Sequence, residues 1–307
     1  MEDKIINIFV ELGLEKVIEI KKIDIGFTND IFIVNDKYII KICKKSGNQK
    51  NFEKEVFLYN LFSDKILVPK ILYYDKSKKL INKHYYICNK IEGDNLYSVW
   101  HLLKETERKK FIKELCEILK IINSYGIDEY KNKYGVNENF NWESQIISDL
   151  KKYLKKIEEK KFLEDELINK IKKYITENKG ILKDKKVAIV YWDAHFDNIL
   201  VKNGKIVGIL DFEGMELLSI DYILDLIFRM EKYPHVYVSN EENEKLINIE
   251  DYRNMVSYYK EFYPELFDFK FINKRVAIYS IRYDLKLILD YPHVKSLRKR
   301  LMDNLNI

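Results

Sequence analysis

The sequence predicts an α+β protein in which a small, β-rich N-terminal part precedes a larger helical part. Short runs rich in Ile, Val, Tyr and Phe dominate residues 1–92, whereas apolar residues at helical spacing dominate from Leu96 onward. Only 10 Gly and 4 Pro interrupt the 307 residues. Because these two residues most often end regular structure, their scarcity favours long helices and makes each of them informative.

The N-terminal runs predict the strands of an antiparallel sheet. Polar residues separate them, and Asn35-Asp36-Lys37 is typical of a hairpin turn. One helix is predicted between the strands, because apolar residues from Phe52 to Phe62 recur at spacings of three and four. The predicted strands are residues 17–25, 31–34, 38–43, 71–74 and 85–91.

The C-terminal part is helical and Lys-rich, with one irregular island at residues 187–211. Within this island, Asn203-Gly204 separates two short apolar runs. Asn-Gly is typical of the type I′ turn, which needs positive φ at both central residues. The sequence therefore predicts a small β-hairpin inside the helical part.

Composition excludes several classes of protein. The charges, 54 Lys and Arg against 49 Asp and Glu, give a net +5, and the lysines alternate with glutamates. Nucleic-acid binding requires clustered basic residues, so we expect no nucleic-acid partner. No stretch approaches the roughly 18 apolar residues of a spanning helix, and the N-terminus lacks a signal-peptide pattern. We therefore expect no membrane partner. The cysteines Cys43, Cys88 and Cys116 are widely spaced, which favours reduced thiols and a cytoplasmic protein.

The irregular island carries the residues best suited to chemistry. Asp193 and Asn198 share the loop that enters the predicted hairpin, and Asp211 follows the strand that leaves it. The hairpin should return Asp211 to Asn198, where a carboxylate and an amide oxygen suit Mg²⁺. Asp193 is then left to orient a substrate hydroxyl and accept its proton. This division of roles is typical of phosphoryl transfer.

The same residues carry a resemblance to a known family. Asp193-x-His195-x-x-Asn198, followed thirteen residues later by Asp211-Phe212, resembles the catalytic and metal-binding loops of the aminoglycoside phosphotransferase family. That family includes choline kinase and shares the protein-kinase-like fold. The resemblance implies a bilobal molecule, with a nucleotide-binding N-lobe at 1–92, a hinge at about 88–93 and a helical C-lobe at 93–307.

The resemblance extends through the N-terminal part in matching order. Gly26-Phe27-Thr28-Asn29 resembles the loop that covers the nucleotide, and the residues around Asn89 resemble the hinge, which ends in Gly93. Lys41 resembles the strand lysine that meets the phosphates, with Glu55 as its helix partner, although Glu53 is a close competitor. The nucleotide-binding residues that the resemblance implies are Gly26, Thr28, Asn29, Lys41, Glu55, Asn89 and Ile91.

The implied activity is transfer of the γ-phosphoryl group of ATP or GTP to a hydroxyl of a small molecule, with Mg²⁺ as cofactor. An aminoglycoside acceptor is a polycation, for which Asp197, Glu213 and Glu216 would supply acidic contacts. Choline, a sugar or an amino alcohol would also fit. A catalytically lapsed nucleotide-binding regulator is the remaining alternative, favoured only by Tyr191-Trp192 in place of the family's His-Gly. We expect a monomer or a weak dimer.

Overall fold

The computed structural model describes residues 1–23, 29–44, 46–136, 140–237 and 244–305. The chain forms two compact units, each built from separate segments. The first unit contains residues 1–121, 193–215 and 230–254. The second contains residues 122–192, 216–229 and 255–307. Within the described residues, no helix combines the length and the apolar character needed to cross a membrane.

The first unit contains the predicted antiparallel sheet, with five strands in the order β1-β2-β3-β5-β4. Asn35 and Asp36 connect β2 to β3 with φ angles of 54° and 51°, so the predicted turn has the left-handed backbone of a type I′ hairpin. The strands are β1 (Ile20–Ile23), β2 (Asn29–Val34), β3 (Tyr38–Cys43), β4 (Ile71–Asp75) and β5 (Tyr85–Asn89). Their bounds agree with the prediction to within a few residues; β1 is shorter at its start and β5 ends before Ile91.

One helix precedes the strands of this sheet in the sequence, and another lies between β3 and β4. Helix α1 (Glu2–Glu11) was not predicted, and it buries Ile5, Ile8 and Phe9 in the same apolar cluster as sheet residues. Helix α2 (Gln49–Phe62) is the predicted one, and its apolar face is buried. Because its buried face also includes Glu55, this helix brings a carboxylate into an apolar interior.

The irregular island forms strands that belong to both units. In the first unit, β6 (Asp94–Asn95), β8 (Ile199–Lys202) and β9 (Lys205–Ile209) form an antiparallel sheet. The β8–β9 hairpin is the predicted one, and Asn203 and Gly204 have φ angles of 52° and 69°, as a type I′ turn requires. In the second unit, β7 (Val187–Val190) pairs with β10 (Glu216–Ser219).

The remaining regular structure is mostly helical, as the C-terminal pattern predicted. The helices are α3 (Leu96–Trp100), α4 (Glu105–Ser124), α5 (Ile127–Tyr134), α6 (Trp142–Lys160), α7 (Asp165–Asn178), α8 (Leu224–Lys232), α9 (Met255–Phe262), α10 (Ile272–Asp290) and α11 (Lys295–Leu305). In the second unit, α10 packs against α6 and α11 and supplies buried residues such as Tyr279 and Ile281. The antiparallel sheet followed by helices confirms the predicted α+β class.

Candidate active site

A buried ion pair joins β3 to α2 in the first unit. Lys41 on β3 donates to both carboxylate oxygens of Glu55 on α2, at 3.0 and 2.8 Å. Lys41 is 7% exposed and Glu55 is fully buried. Glu53 is half exposed and its carboxylate lies 4.0 Å from His84 Nδ1, so the structure selects Glu55 over Glu53 as the partner of Lys41. A buried ammonium needs such a partner because it has lost its hydration.

Two more carboxylates approach the same ammonium. Asp211 Oδ1 lies 3.5 Å and Glu213 Oε2 lies 4.0 Å from Lys41 Nζ. Burial alone would lower the pKa of Lys41, but the three surrounding carboxylates outweigh it and raise this pKa above its usual value. Burial raises the pKa of Glu55 to about 7, against the opposing effect of Lys41. The site therefore carries more negative charge than its lysine balances.

This excess charge fits a divalent cation. One oxygen from each of Glu55, Asp211 and Glu213 lies within 4.8 Å of the others, a spacing that could hold a metal ion. Carboxylate oxygens are hard ligands, which Mg²⁺ prefers. A bound cation would offset the repulsion from Asp211 and Glu213, which adds to the effect of burial on the pKa of Glu55. This carboxylate set shares Asp211 with the two residues, Asn198 and Asp211, that the sequence predicts as Mg²⁺ ligands.

Asp211 is held in an uncommon backbone conformation. Its φ and ψ are 59° and 65°, the left-handed region that non-glycine residues rarely adopt. Its backbone N–H donates to the hydroxyl of Tyr59 at 2.8 Å, and the same hydroxyl donates to Glu55 Oε1 at 3.1 Å. Asn29, at the start of β2, donates to Glu213 Oε2 at 3.1 Å. The segment after β9 is therefore tied to both α2 and β2.

The loop of Asp193 and Asn198 is ordered by its own hydrogen bonds. Asn198 Nδ2 donates to the backbone oxygen of Asp193 at 3.0 Å, and the Asn198 N–H donates to His195 O at 2.9 Å. His195 Nε2 lies 3.7 Å from Asp193 Oδ1 and 3.2 Å from Asn198 Nδ2. The Leu210 N–H donates to Asn198 O at 2.9 Å. The hairpin thus returns the chain to Asn198 one residue before Asp211, as predicted.

An aromatic cluster anchors this loop from inside. Phe196 is fully buried, and its ring centroid lies 5.2 Å from Tyr97, 4.5 Å from Trp100 and 6.1 Å from Tyr252. Trp100 Nε1 donates to the backbone oxygen of Asp251, which fixes the position of the 249–252 turn. Because Phe196 lies between Asp193 and Asn198 in the chain, its packing restrains both polar residues.

The hinge region approaches the β8 strand closely. A Cβ atom at Gly93 would lie 2.9 Å from the backbone oxygen of Val201, so only glycine fits without a shift. The Asn89 N–H donates to Lys70 O at 3.2 Å, so this amide is engaged within the protein. Ile91 packs against Gly208, where an added Cβ would lie 3.0 Å from Ile91 Cδ1.

The sequence predicts four further site residues, which are Gly26, Thr28, Asp197 and Glu216. Gly26 and Thr28 fall outside the described residues. Asp197 is half-buried next to Asn198 in the first unit. Glu216 belongs to the second unit, where its carboxylate lies 3.6 Å from Arg282 Nη2.

A second buried charged cluster lies wholly in the second unit. Arg275 donates to both oxygens of Asp221, at 2.7 and 3.0 Å, and both side chains are fully buried. Tyr279 and Ser219 also donate to this carboxylate, at 2.8 and 2.5 Å. Arg275 on α10 is therefore the buried partner of Asp221.

Comparison with solved structures shows which known fold the chain shares. The chain is similar to aminoglycoside phosphotransferase APH(2'')-Ib in its ADP-bound form, with a TM-score of 0.69 and 19% identity, over 99% of this chain and 96% of that one. It is also similar to APH(2'')-IIa in its gentamicin complex, with a TM-score of 0.68 and 19% identity, over 98% and 94% of the two chains. A thermostable mutant of APH(4)-Ia, in ternary complex with AMP-PNP and hygromycin B, has a TM-score of 0.68 and 15% identity over 99% and 98%. The shared fold is the bilobal, protein-kinase-like fold.

The family follows from the sequence. The profile of the phosphotransferase enzyme family matches residues 19–221, about two thirds of the chain, and the chain belongs to this family. The predictions of the family and of a small-molecule kinase are confirmed. No curated protein sequence matches the chain significantly.

Several contacts in the site were not predicted. Tyr59 was assigned only to the apolar face of α2, although it lies four residues after Glu55 and could have been recognised as a neighbour on the same helical face. The bond from Asn29 to Glu213 joins residues 184 positions apart. No local pattern signals such a contact, and the same holds for the packing of Phe196 against Tyr252.

Proposed function

We propose that this protein transfers the γ-phosphoryl group of ATP or GTP to a hydroxyl of a small molecule, with an aminoglycoside as the leading acceptor. The observation that supports it best is the convergence of Glu55, Asp211 and Glu213 on buried Lys41 in a member of the phosphotransferase family. The matching structures include complexes with nucleotides and with aminoglycosides. These complexes motivate both the donor and the acceptor.

Each residue of the proposed nucleotide site has a chemical role. Lys41 would meet phosphate oxygens as a point charge, while Glu55 limits the motion of its flexible side chain. Asn198 and Asp211 would hold Mg²⁺, which would neutralise charge on the phosphate oxygens. Gly26, Thr28 and Asn29 would cover the phosphates. The backbone of Ile91 and the Asn89 carbonyl would face the purine, since the Asn89 amide is already bonded to Lys70.

Asp193 is the proposed catalytic residue. It would accept a hydrogen bond from the acceptor hydroxyl, whose oxygen forms a bond to the γ-phosphorus as the bond to the β–γ bridging oxygen breaks. The hydroxyl proton passes late to Asp193, and the nucleoside diphosphate leaves. Because a carboxylate is a weak base, its contribution is mainly the orientation of the hydroxyl. The carbonyl of Asp193 holds Asn198, so one residue would link the acceptor to the metal ligand.

Asp197, Glu213 and Glu216 remain the proposed acidic contacts for a cationic acceptor. Glu213 and Glu216 each lie within 4.0 Å of a cation, Lys41 and Arg282 respectively. An acceptor without amino groups, such as a sugar, would not need these contacts.

Turnover with a panel of acceptors tests the proposal. ATP and GTP consumption would be measured with aminoglycosides, choline, sugars and amino alcohols, for the wild type, Asp193→Ala and Asp128→Ala. Asp128 is an exposed acid on α5 and serves as the matched control. We expect Asp193→Ala to lose about 10²–10⁴-fold in turnover and to retain nucleotide binding, because removal of an orienting acid–base group has effects of this size.

Three results would each contradict a part of the proposal. Normal turnover by Asp193→Ala would exclude the catalytic role of Asp193. Wild-type protein that shows no magnesium-dependent nucleotide hydrolysis, with or without any acceptor, would favour the lapsed regulator instead. Turnover restricted to uncharged alcohols would retain the kinase and exclude the aminoglycoside.

A further inference from the structure

Tyr59 connects Glu55, the partner of Lys41, to the backbone of Asp211 through its side-chain hydroxyl. The side chain is 3% exposed and projects from α2 one turn after Glu55. Its hydroxyl accepts the Asp211 N–H at 2.8 Å and donates to Glu55 Oε1 at 3.1 Å. A backbone N–H can only donate and an ionised carboxylate can only accept, so both bonds are satisfied by one O–H group in one orientation.

The position of the ring is fixed by packing. The Tyr59 ring centroid lies 5.1 Å from Phe212, the residue after Asp211, and 6.5 Å from Tyr86 on β5. Phe212 in turn packs edge-on against Phe62 at the end of α2, at 6.1 Å. The hydroxyl therefore cannot move away from Asp211 without displacing several buried rings. Such a contact suits a residue that maintains a geometry rather than one that reacts.

The backbone of Asp211 needs support of this kind. Its left-handed conformation is unfavourable for a residue with a Cβ, and such conformations persist when surrounding contacts enforce them. The bond from the Asp211 N–H to Tyr59 enforces it at the residue itself. The bond from Leu210 to Asn198 fixes only the preceding residue. The direction of the Asp211 carboxylate depends on this conformation.

We propose that Tyr59 is a positioning residue that holds Asp211 in its metal-binding conformation and couples it to the Lys41–Glu55 pair. This inference rests on the proposed function, in which Asp211 is a metal ligand. It assigns Tyr59 no contact with nucleotide or metal. Loss of the hydroxyl should therefore weaken the response to Mg²⁺ and leave metal-free nucleotide binding through Lys41 intact.

A tyrosine that only fills the core would behave differently. Tyr59→Phe keeps the ring and its packing, so a purely structural role predicts no specific change at the metal site. Tyr174→Phe is the matched control, because Tyr174 is buried on α7 and its hydroxyl has no hydrogen-bond partner among the described residues. Asp211→Asn is the reference variant, because it alters the proposed metal ligand directly.

Calorimetric titration separates these roles. The affinities for AMP-PNP and GMP-PNP would be measured in EDTA and over a series of Mg²⁺ concentrations, for the wild type and the three variants. We expect Tyr59→Phe to reduce the tightening caused by Mg²⁺ by about tenfold, the size of one buried hydrogen bond, with its EDTA affinity unchanged. Amide exchange at Asp211 in nucleotide-free protein should also accelerate in Tyr59→Phe and remain unchanged in Tyr174→Phe.

The outcomes distinguish the inference from the function on which it rests. If Asp211→Asn loses the Mg²⁺ response and Tyr59→Phe keeps it, the role of Tyr59 is wrong and the proposed function stands. If Tyr59→Phe loses affinity equally in EDTA and in Mg²⁺, the hydroxyl has a general structural role and the inference fails. If Asp211→Asn responds to Mg²⁺ like the wild type, the metal assignment fails and takes the inference with it.

Discussion

Gly93→Ala is a sharp test of the packing between the hinge and the β8 strand. The added Cβ would lie 2.9 Å from the Val201 backbone oxygen and 3.0 Å from Val207 Cγ2. The Val207 side chain can adjust, but the Val201 carbonyl belongs to a strand paired on both sides, with β6 and β9. Restoring an ordinary contact of 3.4 Å therefore requires a backbone shift of about 0.5 Å.

The expected change in the free energy of unfolding of Gly93→Ala follows from two opposing effects. Overpacking of a tight interior costs about 1–3 kcal/mol. Replacing glycine by alanine also restricts the unfolded chain, which stabilises the protein by about 0.4–1 kcal/mol. Gly93→Ala should therefore reduce the free energy of unfolding by about 1–2 kcal/mol. Gly47→Ala is the matched control, because Gly47 is exposed and a Cβ there meets no atom within 4 Å.

Urea denaturation, followed by tryptophan fluorescence, measures both variants. The free energy of unfolding should fall for Gly93→Ala and stay level or rise slightly for Gly47→Ala, with similar m-values. A Gly93→Ala protein as stable as Gly47→Ala would refute the argument, because the close approach to Val201 would then impose no cost.

Two further predictions concern buried groups. Asp221→Asn should lower the free energy of unfolding by about 3–5 kcal/mol, because it leaves the guanidinium of Arg275 buried without its counter-charge. Urea denaturation of the variant and the wild type measures this change, and a decrease of less than about 1 kcal/mol would contradict the prediction. The thiols of Cys43, Cys88 and Cys116 are buried, and burial raises the pKa of Cys88 and of Cys116 to about 12. A disulfide reagent at pH 8 should therefore label none of the three thiols in native protein and all three in urea. Rapid labelling of Cys88 before unfolding would show that the strand β5 opens locally.

The backbone of the site could largely be predicted from local patterns. The Asn203-Gly204 turn follows from two adjacent residues that tolerate positive φ, and once this turn exists Asp211 must return towards Asn198. The strand with Lys41 follows in the same way from a short run rich in Ile and Tyr. These features depend on residues close together in the chain, so their physical causes are visible in the sequence.

The choice between equivalent residues needed the structure. Glu53 and Glu55 lie on the same helix, and helical spacing alone allowed either to face Lys41. Burial decided between them, because Glu55 is fully enclosed while Glu53 is half exposed beside His84. Similarly, Glu213 was predicted as an acceptor contact, and the structure shows that its carboxylate accepts a hydrogen bond from Asn29 and lies 4.0 Å from Lys41 Nζ.

By itself, the sequence determined the α+β class, the order of the site residues and the family to which the chain belongs. Only the tertiary structure showed that Tyr59 bridges Glu55 to Asp211, a residue 152 positions further along the chain. It alone revealed that three carboxylates surround one lysine. Secondary structure and turns are encoded by near neighbours, whereas hydrogen bonds and charge balance depend on which distant segments meet after the chain has folded.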